Sequence, residues 1–305
     1  GVQHQIADGA WIDVGYFRRW YGNFSVVDNQ LVGPEDYDPF CITAPRNDAR
    51  LPNAGEQVCG FYDIAPAKNG LSQNLVRLAK HYGEQTEIYN GVDASMTWRL
   101  SGLTLFAGLS TGRVTMSQCF VVDAPVVYLG VVSPATPTAT NPQSPMSSCN
   151  VVPPFLTQYK GYAVYQLPWW GVSLSGTYQA VPQPAGGGAL TSITADYVAT
   201  NAEIRPSLGR DLAAGANGTA TLELLKPFAL LGGHTKQLDL RIGKSLPSSG
   251  RMRTRLSLDI YNVLNSNDWQ TITTRLSSNA AANRWQRPTL ILQARYIQVG
   301  TQIDF

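Results

Sequence analysis

The chain carries a series of long runs in which apolar and polar residues alternate one for one. Successive side chains of a strand point to opposite faces, so such a run makes a ribbon with one apolar and one polar face. In Ala10–Val26, Ile12, Val14 and Tyr16 alternate with Asp13 and Gly15. In Thr86–Leu100, Val92, Ala94, Met96, Trp98 and Leu100 alternate with Asp93, Ser95, Thr97 and Arg99. Leu103–Thr115, Phe155–Leu167, Gly171–Val181, Lys236–Leu246, Arg251–Leu264 and the C-terminal run follow the same rule, and Val2–Ala7 reads as the stub of one more. Helical periodicity is nearly absent, and only Leu71–His81 reads as a short helix inside a loop. The pattern predicts an all-β chain of about eight to nine antiparallel strands.

The connections alternate in length. Asp8-Gly9, Ser101-Gly102, Pro168–Gly171 and Pro247–Gly250 are tight turns, whereas residues 28–83, 117–154, 182–234 and 265–287 form long loops. In an up-and-down sheet all tight turns then lie at one end and all long loops at the other. That is the layout of outer-membrane barrels, which have short periplasmic turns and long extracellular loops. Most runs also reach the roughly 9–11 residues that a tilted membrane strand needs. Trp11, Trp98, Trp169 and Trp170 stand beside tight turns, where an interfacial girdle is expected.

Composition agrees with this reading. Charged residues make up only 14% of the 305 residues, against about 25% in an ordinary soluble domain. The net charge of +2 gives no electrostatic case for nucleic acid. No apolar run is long enough for a membrane helix, which does not bear on barrel strands. No secretory signal is visible and the chain starts at Gly1, so it reads as mature, processed or cut from something longer. Of the four cysteines, Cys41 and Cys59 share one long loop, and Cys119 and Cys149 another. Their spacing lacks the close pairs of a metal site and reads as two local disulfides, formed in an oxidising compartment.

Several segments carry a resemblance. QLDLRIGKSLPSSGRMRTRLSLDIYNVLNSND resembles the penultimate hairpin of TonB-dependent outer-membrane receptors, and RPTLILQARYIQVGTQIDF their last strand. WYGNFSVVDN, DYDPFCITAP, STGRV and VATNAEIRPSLGRDLAAG resemble an Oar-like branch of receptors whose N-terminus carries a carboxypeptidase-regulatory-like domain. The resemblance implies the C-terminal part of a family-typical 22-stranded barrel with a plugged lumen in a Gram-negative outer membrane. It implies uptake of a solute powered through TonB, without enzyme chemistry or cofactor. The partners implied are outer-membrane lipid, the barrel-assembly machinery, and the remaining barrel and plug or partner chains. Ile297, Val299, Ile303 and Phe305 resemble the C-terminal signal that the assembly machinery reads. No plug sequence and no TonB-contacting segment is present in these residues. Three alternatives are a structural component of a surface assembly, a small passive porin, and a soluble secreted sandwich that binds glycans.

Candidate site residues are the polar side chains expected to face the lumen: Asp13, Asp93, Arg99, Gln158, Lys160, Asp239, Arg241, Arg255 and Asp259. The loop aromatics Tyr37, Phe40, Trp269 and Trp285 are candidates to engage an extracellular ligand. Gly108–Gly112 matches the G-x-S-x-G elbow, but it lies inside a strand, not at a strand-to-helix turn. Pro184–Gly188 reads as a flexible loop tip. His4, His81 and His234 are scattered, and none is paired with an acid in sequence.

Overall fold

The computed structural model describes residues 1–129, 144–183, 192–247 and 253–304. One antiparallel sheet dominates it. Its main path runs in sequence order through nine strands: β1 (Val2–Ala7), β2 (Ala10–Tyr21), β3 (Thr86–Leu100), β4 (Leu103–Ser117), β5 (Leu156–Gln166), β6 (Val172–Pro182), β7 (His234–Ser245), β8 (Arg253–Tyr261) and β9 (Tyr296–Asp304). The short strand Asn150–Val151 pairs with the end of β4 off this path. Tight turns join β1 to β2, β3 to β4, and β5 to β6. Glycine is placed where the turn needs a left-handed backbone, at Gly9 (φ 72°) and Gly102 (φ 75°). Trp170 takes φ 64° in the third turn, a conformation disfavoured for a bulky residue, and its carbonyl accepts a hydrogen bond from Lys244 Nζ. Pro184–Gly188 and most of the last tight turn lie outside the described residues, as does Phe305.

Among the described residues the sheet does not close. β1 and β9 are its two edges, each paired on one side only. The expected barrel appears as an open antiparallel meander.

Register fixes which residues share a face, because directly opposed residues of an antiparallel pair point the same way. One row runs Asp13–Ser95–Gly108–Lys160–Gln179–Gln237 across six strands. The neighbouring row on the same face runs Gly15–Asp93–Ser110–Gln158. Followed through all nine strands, this face holds the acids Asp13, Glu87, Asp93, Asp239, Asp259 and Asp304, and the bases Arg19, Arg99, Lys160, Arg241, Arg253 and Arg255. All nine expected lumen residues lie on it.

The opposite face carries no acid. Its rows contain Ile12, Val14, Val92, Met96, Leu105, Leu109, Tyr159, Leu174, Tyr178, Leu240, Ile242, Leu258, Ile297, Val299 and Ile303, with Arg18, Arg113, Lys236 and Lys244 as the cations. This apolar face is uncovered: Val14 is 42% exposed, Ile242 42% and Val299 75%. Trp98 belongs to the apolar face, but Trp11, expected in the same girdle, lies on the charged face with the Arg99 guanidinium 5.8 Å above its ring.

The hydrophobic core lies in the loops. Ala10 and Ala180 are the only buried hydrophobic residues within the nine strands. The described residues of the long connections, 22–85, 118–129, 144–155, 192–233 and 262–295, pack on one another instead. Phe40, Ile42 and Phe61 of the first, Ile204, Leu212 and Leu222 of the third, and Ile272, Leu276 and Trp285 of the fourth form one cluster. All four proposed ligand-binding aromatics pack inside the fold: Phe40 and Trp285 are buried in this cluster, Trp269 is partly buried against it, and Tyr37 is buried in a second one. Trp285 Nε1 also donates to the Thr194 carbonyl at 2.7 Å, which uses its only polar atom inside the fold.

Two local expectations are corrected. Leu71–His81 is not a helix: Asn74–Leu78 is a strand paired with Ser25–Asn29, followed by a single 3-10 turn at Ala79–His81. Its Val-containing run finds a strand partner, and tertiary pairing overrides the weak helical pattern. Conversely, Asn201–Leu208 forms helix α1, which the period-two reading missed. The Glu203 carboxylate accepts hydrogen bonds from the Thr200 N–H and hydroxyl at 2.8 Å each, and Gly209 ends the helix at φ 78°. Ile204 of α1 is fully buried in the loop core. Replacing Ile204 by Ala is expected to cost the loop module about 2–5 kcal/mol. Hydrogen exchange of the amides of residues 196–208 under increasing urea checks this, with the exchange of the nine-stranded sheet unchanged.

Candidate functional site

The charged face has a depression of about 320 Å³ near its middle. It is lined by Asp13, Asp93, Ser95, Phe106, Gly108, Ser110, Gln158 and Lys160, among others. The strand ladder supplies these residues from β2, β3, β4 and β5, so a rigid hydrogen-bonded frame sets their spacing. Asp13 and Lys160 share one row but are separated by three strand spacings, about 14 Å. No ion pair joins Asp13, Asp93 or Lys160 to another residue among the described residues. The depression thus presents two carboxylates and one ammonium, with serine hydroxyls and an amide between them. Such a surface can bind and orient polar or zwitterionic groups.

Glycines make the room. Gly91 and Gly112 face each other across β3 and β4, and the Tyr89 ring lies over both, so that a Cβ at either position would strike its hydroxyl. Phe106 stacks on Tyr162 across the next strand pair, with ring centroids 5.4 Å apart. Alternation alone did not single out these aromatics or Ser95 and Ser110. The register does, because it places them beside Asp93 and Lys160.

The other expected lumen residues lie elsewhere on the charged face. Asp239, Arg241 and Asp259 form a network of their own. Arg241 pairs with Asp259, and the Gln237 amide donates to both Asp239 oxygens at 3.0 and 2.9 Å. Asp239 also accepts from the Asn262 N–H at 2.8 Å, which fastens the end of β8 to β7. These partners satisfy the side chains internally and mark the network as structural. Arg99 stacks on Trp11 near the tight turns, and Arg255 lies toward the same end, opposite Gln302. A larger depression, about 630 Å³, lies mainly on the apolar face among Leu105, Leu174, Leu240 and Ile242.

Polar contacts tie the loops beyond the long-connection end of the sheet into one body. Arg210 pairs with Asp38 and Asp63, joining the third connection to the first. Asn283 donates to Asp48 at 2.8 Å and Asn47 donates to the Ser277 carbonyl at 2.8 Å, joining the fourth to the first. The Ser144 hydroxyl donates to the Gly60 carbonyl at 2.8 Å, bringing in the second. Disulfides join Cys41 to Cys59 and Cys119 to Cys149. His234 Nε2 lies 2.7 Å from the Thr157 carbonyl, and its ring packs near Tyr159.

One group in this body was invisible in sequence. Glu223 is 3% exposed, and its Oε1 accepts from the backbone N–H groups of Ala195 (2.8 Å) and Leu225 (2.9 Å). Its Oε2 is buried without a hydrogen-bond partner, and Asp196 is its cross-strand neighbour. Burial, with the adjacent Asp196 carboxylate adding to it, pushes the Glu223 carboxyl from an ordinary value of 4.5 up to about 8. The folded state therefore holds a proton that the unfolded chain releases. Stability contributed by protonated Glu223 is full below about pH 4.5, declines as pH rises, and is lost above about 8. Glu223→Gln keeps the shape and removes the charge. The variant is expected to flatten the pH dependence of loop-module unfolding between those limits, a difference of a few kcal/mol at about pH 9. Urea titrations of both proteins at several pH values check it.

No protein-family model matches the chain, and no curated protein matches it. Among solved structures it is similar to the outer membrane transporter YddB from Escherichia coli, with a TM-score of 0.42 and 9% sequence identity. The match covers 98% of this chain and 31% of that one, so the chain spans less than a third of the length of the structure it matches.

Proposed function

We propose that the chain is a membrane-embedded section of an outer-membrane β-barrel transporter of the TonB-dependent type. The observation that carries this reading is the division of the ladder into an uncovered apolar face without acids and a face where acids and bases are mixed. A soluble sheet covers its apolar face with a second layer, and exposed apolar patches of soluble monomers rarely exceed a few hundred Å². Here the uncovered face spans all nine strands, and no second sheet lies on it among the described residues. In hydrocarbon that face is satisfied, and the charged face lines an aqueous lumen.

Unpaired strand edges are costly in lipid, so β1 and β9 pair with further strands, of the same polypeptide or of partner chains. In this reading those strands complete a barrel of the 22-stranded, Oar-like class, the long connections face the outside of the cell, and the barrel-assembly machinery reads the C-terminal strand. A plug and a TonB-contacting segment lie outside this chain. The depression around Asp13, Asp93, Gln158 and Lys160 contacts the solute or the plug, and the chain carries out no catalysis. The ordered loop module favours a second reading, in which it is a docking platform of a surface assembly.

Adjacent positions on β8 test the embedding. In native membranes, Ser257→Cys on the charged face is expected to react with a small water-soluble maleimide, and Leu258→Cys on the apolar face to stay unreactive until detergent or denaturant is added. Equal labelling of the two in intact membranes overturns the reading. A charge at the same apolar position, Leu258→Arg, is expected to cost about 2–4 kcal/mol if it lies near the bilayer midplane.

A further inference from the structure

On the apolar face, four cations interrupt the aliphatic and aromatic side chains. Lys244 lies at the tight-turn end, where its Nζ donates to the Trp170 carbonyl. Lys236 lies about five strand spacings, roughly 24 Å, from β2, and its own backbone N–H is held by Asp268. Arg18 and Arg113 are different. Register places Arg18, Asn90 and Arg113 in one row across β2, β3 and β4, so the two arginines are two strand spacings apart, about 10 Å. Neither has an ion-pair partner among the described residues. The face they share has no acid on any strand. The Arg113 guanidinium lies over the Phe155 ring, 4.6 Å from its centroid, and Arg113 Nε is buried without an acceptor. The Tyr16 hydroxyl donates to Asn90 Oδ1 at 2.7 Å, fixing the amide between the two arginines.

The height of the row matters. From Leu103, at the tight turn, to Arg113 the strand advances about 33 Å, or roughly 23 Å along the membrane normal at a tilt near 45°. That matches the apolar band of such barrels, about 25 Å tall. If Leu103 lies at one interface, Arg113 lies at the other, at the level of the headgroups.

We propose that Arg18 and Arg113, with Asn90 between them, form a docking site for the phosphate of a lipid headgroup at the long-loop rim of the apolar face. The inference rests on the membrane-embedded reading and adds a ligand to it. The occupant is anionic because two guanidiniums without ion-pair partners share one row of a surface that supplies no counter-charge. It is a lipid because the surrounding surface, with Tyr16, Trp20 and Phe155 exposed, is the one that faces acyl chains.

Native mass spectrometry of the detergent-extracted protein tests it, with phosphatidic acid and diacylglycerol of the same acyl chains as probes and inorganic phosphate as competitor. Wild type is expected to retain phosphatidic acid in preference to diacylglycerol, and R18Q/R113Q to lose roughly thirtyfold of that preference, the effect of two interfacial cations. R18K/R113K keeps both charges and is expected to keep most of it. R19Q/R253Q removes the same net charge from the opposite face and is expected to leave the preference unchanged. Equal retention of the two lipids by wild type, or an equal loss in R19Q/R253Q, overturns the site. Displacement of the lipid by millimolar inorganic phosphate overturns the lipid assignment in favour of a free-anion site. If the membrane reading itself is wrong, the β8 cysteine pair labels equally and neither lipid is retained, which separates the two failures.

Discussion

The structure depends on the parity of one hydrogen-bonded ladder. Each strand pair opposes residues that point to the same face, so the sorting of side chains on β2 is handed on, strand by strand, to β9. A slip of one residue anywhere would bring Asp93 or Arg241 to the apolar face and Val92 or Leu240 to the charged one. The tight turns hold the register, and it is there that the backbone accepts left-handed conformations, at Gly9, Gly102, Trp170 and Gly171. Side-chain burial adds little within this sheet, since its large apolar groups stay exposed or half-buried. The ladder is held chiefly by its backbone hydrogen bonds.

That arrangement separates two kinds of stability in one chain. The loop module follows the rules of a soluble domain: a buried cluster around Ile204 and Trp285, a capped helix, two disulfides and half-buried ion pairs such as Arg210–Asp63. Burial raises the pKa of Asp63, and the hydrogen bonds from Arg210 and the Ala213 N–H oppose that shift. Burying so much loop backbone requires partners for its polar groups. Asn53, Asn69, Asn201 and Trp285 supply several of them by bonding to main-chain atoms of other segments. Loops joined in this way act as one body, so a ligand arriving at that end of the sheet meets a shaped surface.

Much of the sheet was legible in the sequence because a period of two survives without tertiary information. Asp13, Arg99, Lys160 and Asp259 are all placed on one face by alternation alone, and the ladder keeps them there. The grouping within that face was not legible. Nothing local distinguishes Asp93, open in the depression, from Asp239, satisfied by Gln237 and Asn262, because the difference lies in which strand comes to rest alongside. The loops were read least well. Phe40 and Trp285 look like exposed recognition aromatics until Ile204 and Leu222 arrive from another connection to cover them. Glu223 sits in an ordinary Thr-Leu-Glu-Leu-Leu run, and only the fold buries it against Asp196. The helix at Asn201–Leu208 did carry a local sign, the Thr200-to-Glu203 capping spacing.

The uneven distribution of charge follows from the same parity. A face open to water tolerates both signs because water and cross-strand partners, such as Arg241 with Asp259, satisfy them. A face in hydrocarbon tolerates neither sign near its middle. Cations remain possible at its margins, where long side chains bring their charge to the interface while their stems stay apolar. Carboxylates lack that reach. An acid-free face bordered by Arg18 and Arg113 at one end and Lys244 at the other is therefore what a bilayer selects, and a second protein layer would not require it. Arg18 and Arg113, without ion-pair partners among the described residues, stand at one end of that face.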